Sequence, residues 1–133
     1  AVKALKPAAK VIAVEDESPA PVAAALAAGR IVDIETKPSF IKSIGGPSLV
    51  PQLWPVARDL IDGAQSVSLA QVTDAMRLLF SKTKVVAEGA GAASVAAALC
   101  SPHAKGNVVC VVSGGNIDPD AYGTVLAGGI PRP

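Results

Sequence analysis

Aromatic residues are scarce: one Trp, one Tyr and two Phe make up 3% of the 133 residues. Any interior must therefore be built from Ala, Val, Leu and Ile. Charge is also sparse, at 17% of residues with a formal balance of +1. No window combines a Lys/Arg stripe with interleaved aromatics, which argues against a nucleic-acid surface. Long apolar runs are missing as well. VVCVV and SVAAAL are far too short to span a bilayer, and AVKALKPAAK lacks the apolar core of a secretory signal. No membrane association is expected, and a cytoplasmic location is. Cys100 and Cys110 have no CxxC spacing, and His103 has no neighbouring ligand types. That excludes a zinc motif or a disulfide framework and leads us to expect reduced, buried thiols.

What is present is 50% hydrophobic residues over a length that suits one domain, so a globular chain is expected, not a disordered one. The pattern alternates between two periods. Short apolar, β-branched runs predict strands at 11–15 (VIAVE), 31–35 (IVDIE), 84–89 (KVVAEG) and 107–115 (NVVCVVSGG), with a strand-like start at SVS before Leu69. Helical spacing is read in AVKALKP and in PAPVAAALAAG, which ends at Gly29. In WPVARDLID it puts Trp54, Val56 or Ala57, Leu60 and Ile61 on one side, with Trp54 expected in a core or an interface. From about Leu69, Val72, Met76, Leu79 and Phe80 share a face. GAASVAAALCSP reads as an Ala-rich helix, and Asp118-Pro119 as the start of a last helix running to about Ala127. Apolar strands alternating with helices predict an α/β fold: an open, mostly parallel sheet with helices on both faces. The Gly/Pro/Ser-rich stretch 36–52 is a long loop, and loops of that length often wall a site.

Ligands of open parallel sheets bind beyond the carboxyl ends of the strands. Two such ends are glycine-rich here, EGAGAAS at 88–94 and SGGN at 113–116. Glycine lets backbone N–H groups approach a ligand there, but turns of this kind also use glycine for geometry alone. Gly89, Gly91 and Ser94 nearly complete the dinucleotide fingerprint G-x-G-x-x-G, so a dinucleotide-binding half-domain is one alternative. Against it, Ser113 stands where that motif places a ribose-binding acid. At the end of the first strand, Asp16 or Ser18 is expected to cap a helix beginning at Pro19.

VVAEGAGAASVAAAL followed by KGNVVCVVSGGNID, with SFIKSIGGPSLVPQLWPVARDLIDG and VIAVEDESPAP upstream, resembles one family in order and spacing. It is the fold type II pyridoxal-phosphate enzymes of the threonine/serine dehydratase and serine racemase group. The resemblance covers nearly the whole chain and implies a cofactor site. Ser113 would meet the pyridine nitrogen, Gly45 would line the cofactor through its backbone, and Glu88 would lie near the ring. Gly114, Gly115 and Asn116 would shape the floor. Glu88 has another reading, as a strand-end carboxylate satisfied by the next helix N-terminus. A divalent metal in this family uses an acid at the position of Glu15, but Pro21 stands where a second carboxylate would be placed.

The family's cofactor-binding lysine, in a Ser-x-Lys context, and its glycine-rich phosphate loop have no counterpart among the eight lysine contexts and glycine turns of this sequence. Residues 1–133 are thus expected to be one α/β domain, the C-terminal portion of a dehydratase, without the catalytic-lysine and phosphate-loop segment. The resemblance implies a lyase that converts a β-hydroxy amino acid to a 2-oxo acid and ammonia, or a racemase of the same family. The isolated chain is expected to be inactive. Expected partners are a small amino-acid substrate, a missing N-terminal segment or another chain, and further copies in a homo-oligomer. A non-catalytic docking module is the alternative from another class, since a missing half would leave an apolar patch exposed.

Overall fold

The computed structural model describes residues 1–17, 20–102 and 104–133. Chain order is α1 (Val2–Leu5), β1 (Ile12–Asp16), α2 (Pro21–Ala28), α3 (Trp54–Leu60), β2 (Gly63–Val67), α4 (Leu69–Leu78), α5 (Gly89–Cys100) and α6 (Pro119–Leu126). α4 runs directly into one π-helical turn, Leu79–Thr83.

β1 and β2 pair in parallel, with Ile12 opposite Gly63 and Asp16 opposite Val67. Because side chains alternate across a strand, Glu15 points to one face and the Val14–Gln65 pair to the other. α2 lies on the Glu15 face, where Glu15 reaches its first turn. α5 lies on the opposite face, where the Gln65 side-chain amide donates to the Ala97 carbonyl at 3.2 Å. The α/β class with a parallel sheet and helices on both faces is therefore the observed one.

The core is the α4–α5 pair. Val72, Ala75 and Met76 of α4 meet Ala92, Ala93, Ala96 and Ala97 of α5, joined by Val67 and by Val125 of α6. Alanine on α5 is what lets two helices without aromatics approach closely. α4 starts with a reciprocal cap, in which the Ser68 hydroxyl accepts from the Gln71 amide and the Gln71 side chain accepts from the Ser68 amide. α6 starts on Asp118, whose carboxylate accepts from the amides of Asp120 and Ala121.

Several expectations need correction. Segments 31–35, 84–89 and 107–115 pair in no sheet among the described residues; the sheet there has two strands. A strand exists only through a neighbour that takes its backbone groups. Ile34 instead donates to the carbonyl of Pro47 at 2.9 Å, tying 31–35 to the long loop. α3 buries no residue, and Val56 and Leu60 on it are exposed. Trp54 is only half-buried. Cys100 is exposed and Cys110 half-buried, both free thiols, because the end of α5 and segment 107–113 have no layer over them. Helix α2 begins at Pro21, and Ser18, Pro19 and His103, for which a cap, a helix start and an exposed loop were expected, lie outside the described residues.

Candidate functional site

Three loops converge at the amino end of α5. The chain leaves its apolar run at Ala87 and enters the helix at Glu88, whose carboxylate makes no capping bond to α5. It is turned toward the long loop, where the Ser43 hydroxyl donates to its Oε2 at 3.1 Å. Its Oε1 lies against Gly114, where any β-carbon would collide with it. The Glu88 amide donates to the Gly114 carbonyl at 3.0 Å. Glu88 is thus the joint between loops 39–46 and 113–117, not a carboxylate consumed by its own helix.

The glycines explain how the loops come so close. A β-carbon on Gly91 would sit 2.5 Å from the Gly114 oxygen, and one on Gly115 would sit 2.5 Å from the Val86 oxygen. At Gly89 it would meet Ile41 at 2.7 Å. These glycines serve contacts of the protein with itself. The dinucleotide reading fails on this point, since the second glycine of that fingerprint must leave its open side to a pyrophosphate, and at Gly91 the Gly114 backbone fills it. Ser94, at the fingerprint's third position, reaches across and donates to the Val111 carbonyl at 2.9 Å.

Two clefts flank the Glu88–Gly114 joint. One, of about 260 Å³, is lined by Ile12, Val14, Ala93, Val109, Val111 and Ser113. The exposed Ser113 lines it at the end of the apolar run, and its hydroxyl has no hydrogen-bond partner among the described residues. The other, of about 610 Å³, is bounded by 36–39 and 41–47, including Ser43, Gly45 and the two cations Lys37 and Lys42. Gly45 adopts a φ of +85°, a left-handed turn that glycine accommodates without strain. Of the expected residues, then, Glu88 and Gly114 touch, Gly45 and Ser113 sit on opposite sides of them, and Asn116 is exposed just beyond.

Glu15 is placed differently from a metal ligand. It is buried, and its two oxygens accept from the amides of Val22 at 2.7 Å and Ala23 at 2.9 Å. This is the carboxylate that caps α2, the role expected of Asp16 or Ser18. Asp16 instead accepts from the Ser39 hydroxyl at 3.2 Å, pinning the long loop to the end of β1. Among the described residues no group of three or more His, Cys, Asp or Glu side chains is arranged to hold a metal. Sequence reasoning overlooked Ser43 and Ser39. Ser43 lay within the Ser-Ile-Gly motif that pointed to Gly45, but nothing in the sequence shows that it faces Glu88.

The Ser-Gly-Gly turn and the acid-led glycine helix meet beside a two-stranded parallel sheet, and comparison with known proteins says what this arrangement resembles. Residues 1–114 match the model of the pyridoxal-phosphate dependent enzymes, and the chain belongs to that family. It is 34% identical over 131 residues to an L-threonine ammonia-lyase of Thermotoga maritima, covering 98% of this chain and 33% of that protein. It is 31% identical over 125 residues to a serine racemase of Oryza sativa subsp. indica, covering 89% of this chain and 37% of the relative. In structure it is similar to maize serine racemase, with a TM-score of 0.82, 29% identity, and coverage of 95% of this chain and 42% of that one. The neighbours are fold type II enzymes, and the chain spans about a third of the length of the curated relatives it matches. No helix among the described residues is long and apolar enough to cross a membrane.

Proposed function

We propose that residues 1–133 form the part of a threonine/serine dehydratase that receives the ring of pyridoxal phosphate. The observation that carries this reading is Ser113, a free hydroxyl lining a cleft beside Ala90 and Ser94 of α5, one residue from the Gly114 that meets Glu88. The donor set fits the cofactor's ring. A serine hydroxyl can hydrogen-bond a pyridine nitrogen without holding a proton on it as a carboxylate would. Ser113, Gly114 and Asn116 would sit along the nitrogen edge, and Gly45 and Glu88 on the other side.

When bound, the cofactor supplies an electron-withdrawing ring that acidifies the α-carbon of an amino acid. Ser113, as a neutral hydroxyl donor, would leave that ring nitrogen unprotonated, which would favour loss of a β-hydroxyl over full transfer of the amino group. Glu88, held by Ser43, presents a carboxylate that can accept hydrogen bonds from the substrate side of the ring. The overall reaction releases a 2-oxo acid and ammonia from a small β-hydroxy amino acid. The covalent lysine and the phosphate loop are assigned to polypeptide outside residues 1–133.

A second reading, amino-acid racemisation, is favoured by the serine racemase relative at 31% identity. One experiment separates them. The holoenzyme containing this chain is given L-threonine and L-serine, and 2-oxobutanoate, pyruvate and D-serine are measured. Oxo acids as the main products support the dehydratase, and D-serine without oxo acid overturns it. The purified chain of residues 1–133 alone should form no 2-oxobutanoate, and a clear rate from it would refute the assignment of the lysine elsewhere.

A further inference from the structure

The long stretch between α2 and α3 holds no helix or strand among the described residues, yet the fold fixes it at its ends and in its middle. The Ile34 amide donates to the Pro47 carbonyl at 2.9 Å and the Ser48 hydroxyl to the Val32 carbonyl at 3.4 Å, which ties the ends together. Ser39 pins the middle to Asp16 and Ser43 pins it to Glu88, with Ile41 buried between them. The cleft of about 610 Å³ that this loop walls is therefore shaped by the protein itself, so a ligand entering it pays little to order it. Two of the cleft's hydroxyls, those of Ser39 and Ser43, are spent on the pins. Its other polar side chains are Thr36, Lys37 and Lys42, and none of these has a hydrogen bond or ion pair among the described residues. Ion pairs there engage Asp59, Asp62 and Asp74, while Asp33 and Glu35, the acids nearest in the chain, pair with neither lysine. Two unpaired ammonium groups and a free hydroxyl thus border one cavity, where an anion would be attracted to both charges.

We propose that this cleft binds a small organic acid, its carboxylate held by Lys37 and Lys42 with the Thr36 hydroxyl as a third donor, and its carbon body resting on Ile44 and Pro47. A cavity of this volume suits a small molecule, whereas a lone inorganic ion would leave most of it to water. A cation is disfavoured, because no carboxylate lines the cleft. The position ties the ligand to the candidate site. Lys42 directly precedes Ser43, whose hydroxyl holds Glu88, so an anion drawn onto Lys42 arrives beside the Glu88–Gly114 joint. Two sources share this chemistry: the side-chain carboxylate of an acidic β-hydroxy amino acid, which would be the substrate itself, or a free organic acid acting on the enzyme. The site rests on the loop's own side chains, and only the first of these sources rests on the reaction proposed above.

The test titrates the chain at low salt with succinate, with succinamide as its uncharged counterpart and with inorganic phosphate, and reads amide NMR shifts. Amides of α4 report that each sample is folded, and if they do not, calorimetry on the holoenzyme replaces the shifts. Amides within 36–46 should shift saturably with succinate. Succinamide should bind at least about tenfold more weakly, and Lys37→Gln and Lys42→Gln should each weaken succinate about fivefold. Both lysines are exposed and unbonded, so the variants keep the fold. Absence of a saturable response, equal affinity for succinamide or phosphate, or unaltered affinity in the double variant overturns the proposal. The holoenzyme then separates the sources. Succinate competing with L-threonine, with the competition lost in Lys42→Gln, assigns the carboxylate to a substrate, whereas a changed rate without competition assigns it to a free acid. Unchanged turnover at saturating succinate overturns the tie to the candidate site. If the holoenzyme turns over neither threonine nor serine, the reaction is refuted while the titration still judges the cleft.

Discussion

The α4–α5 pair and segment 107–113 both carry apolar side chains, with opposite fates. In the helix pair, small and branched residues are sealed, and Met76, Val72 and Ala92 have no exposure at all. In the segment, valines of equal hydrophobicity stand in the open. An apolar residue is buried only when the fold offers it a second surface, and α5 offers one to α4 that nothing among the described residues offers to Val109. The closed region is where stability resides, and the open one ends at the exposed Ser113.

The largest test of this contrast is a matched pair of truncations. Met76→Ala should cost about 2–5 kcal/mol, as cavity-forming substitutions in sealed cores do, whereas Val109→Ala should change stability by no more than about 0.5 kcal/mol. Urea unfolding of both variants checks it, and comparable losses would erase the distinction. Next comes the seam between the regions. Gly91→Ala should cost about 1–3 kcal/mol, since its new carbon would lie 2.5 Å from the backbone oxygen of Gly114, which cannot swing away as a side-chain tip would. A neutral result would mean that the loops are not held together as described.

A smaller effect probes the one flaw in the closed region. The Tyr122 hydroxyl is buried without a hydrogen-bond partner among the described residues, while its ring packs edge-on against Phe80 at 5.9 Å. Tyr122→Phe should stabilise the chain by about 1 kcal/mol, the hydroxyl's desolvation cost being removed with no bond lost. Burial also pushes the phenol's pKa above its ordinary 10.0. The unfolded chain then ionises first, and stability should fall as pH rises beyond that value. A loss of stability in the variant would reveal a partner for the hydroxyl.

The smallest effect lies at the rim of the open side. Asp62 holds the end of α3 to the start of β1, pairing with Lys3 at 2.6 Å and Lys10 at 3.6 Å and accepting from the Val11 amide at 2.7 Å. The hydrogen bond from Lys3, then that from Val11, brings its pKa from 3.8 down to about 2. A depressed carboxylate stabilises the fold above its unfolded value and stops doing so as pH falls through the folded one. The wild type should therefore lose a little stability between about pH 4 and pH 2, and Asp62→Asn should flatten that part of the curve. An unchanged acid limb would remove Asp62 from the account.

Much of the fold was legible because its signals are local. Helices announced themselves through spacing and caps: Asp118 caps α6 as read, and Gly29 closes α2 with a φ of +66°, whereas the Ser68 cap of α4 lay in a stretch read as strand-like. The strands were less so. β1 was found from its short apolar, β-branched run, but the equally apolar runs at 84–89 and 107–115 join no sheet among the described residues. Propensity marks a segment as able to be a strand, while pairing is a property of two segments. The same limit applied at the site, where Glu88, Gly114 and Ser113 were named from their motifs but Ser43 was not, for its role exists only through a neighbour 45 residues away.

The sequence by itself determined the class of the chain, its helices and the residues that carry the family's likeness, since each is written in a short window. The tertiary structure decided the rest. It made Glu15, and not Asp16, the cap of α2, and it spent the glycines of EGAGAAS on loop contacts instead of on a pyrophosphate. It also left Val109 and Val111 facing a trough while their equals on α4 were sealed. The physical reason is common to all three. Hydrogen bonding and burial are relations between distant residues, and only folding sets the distances.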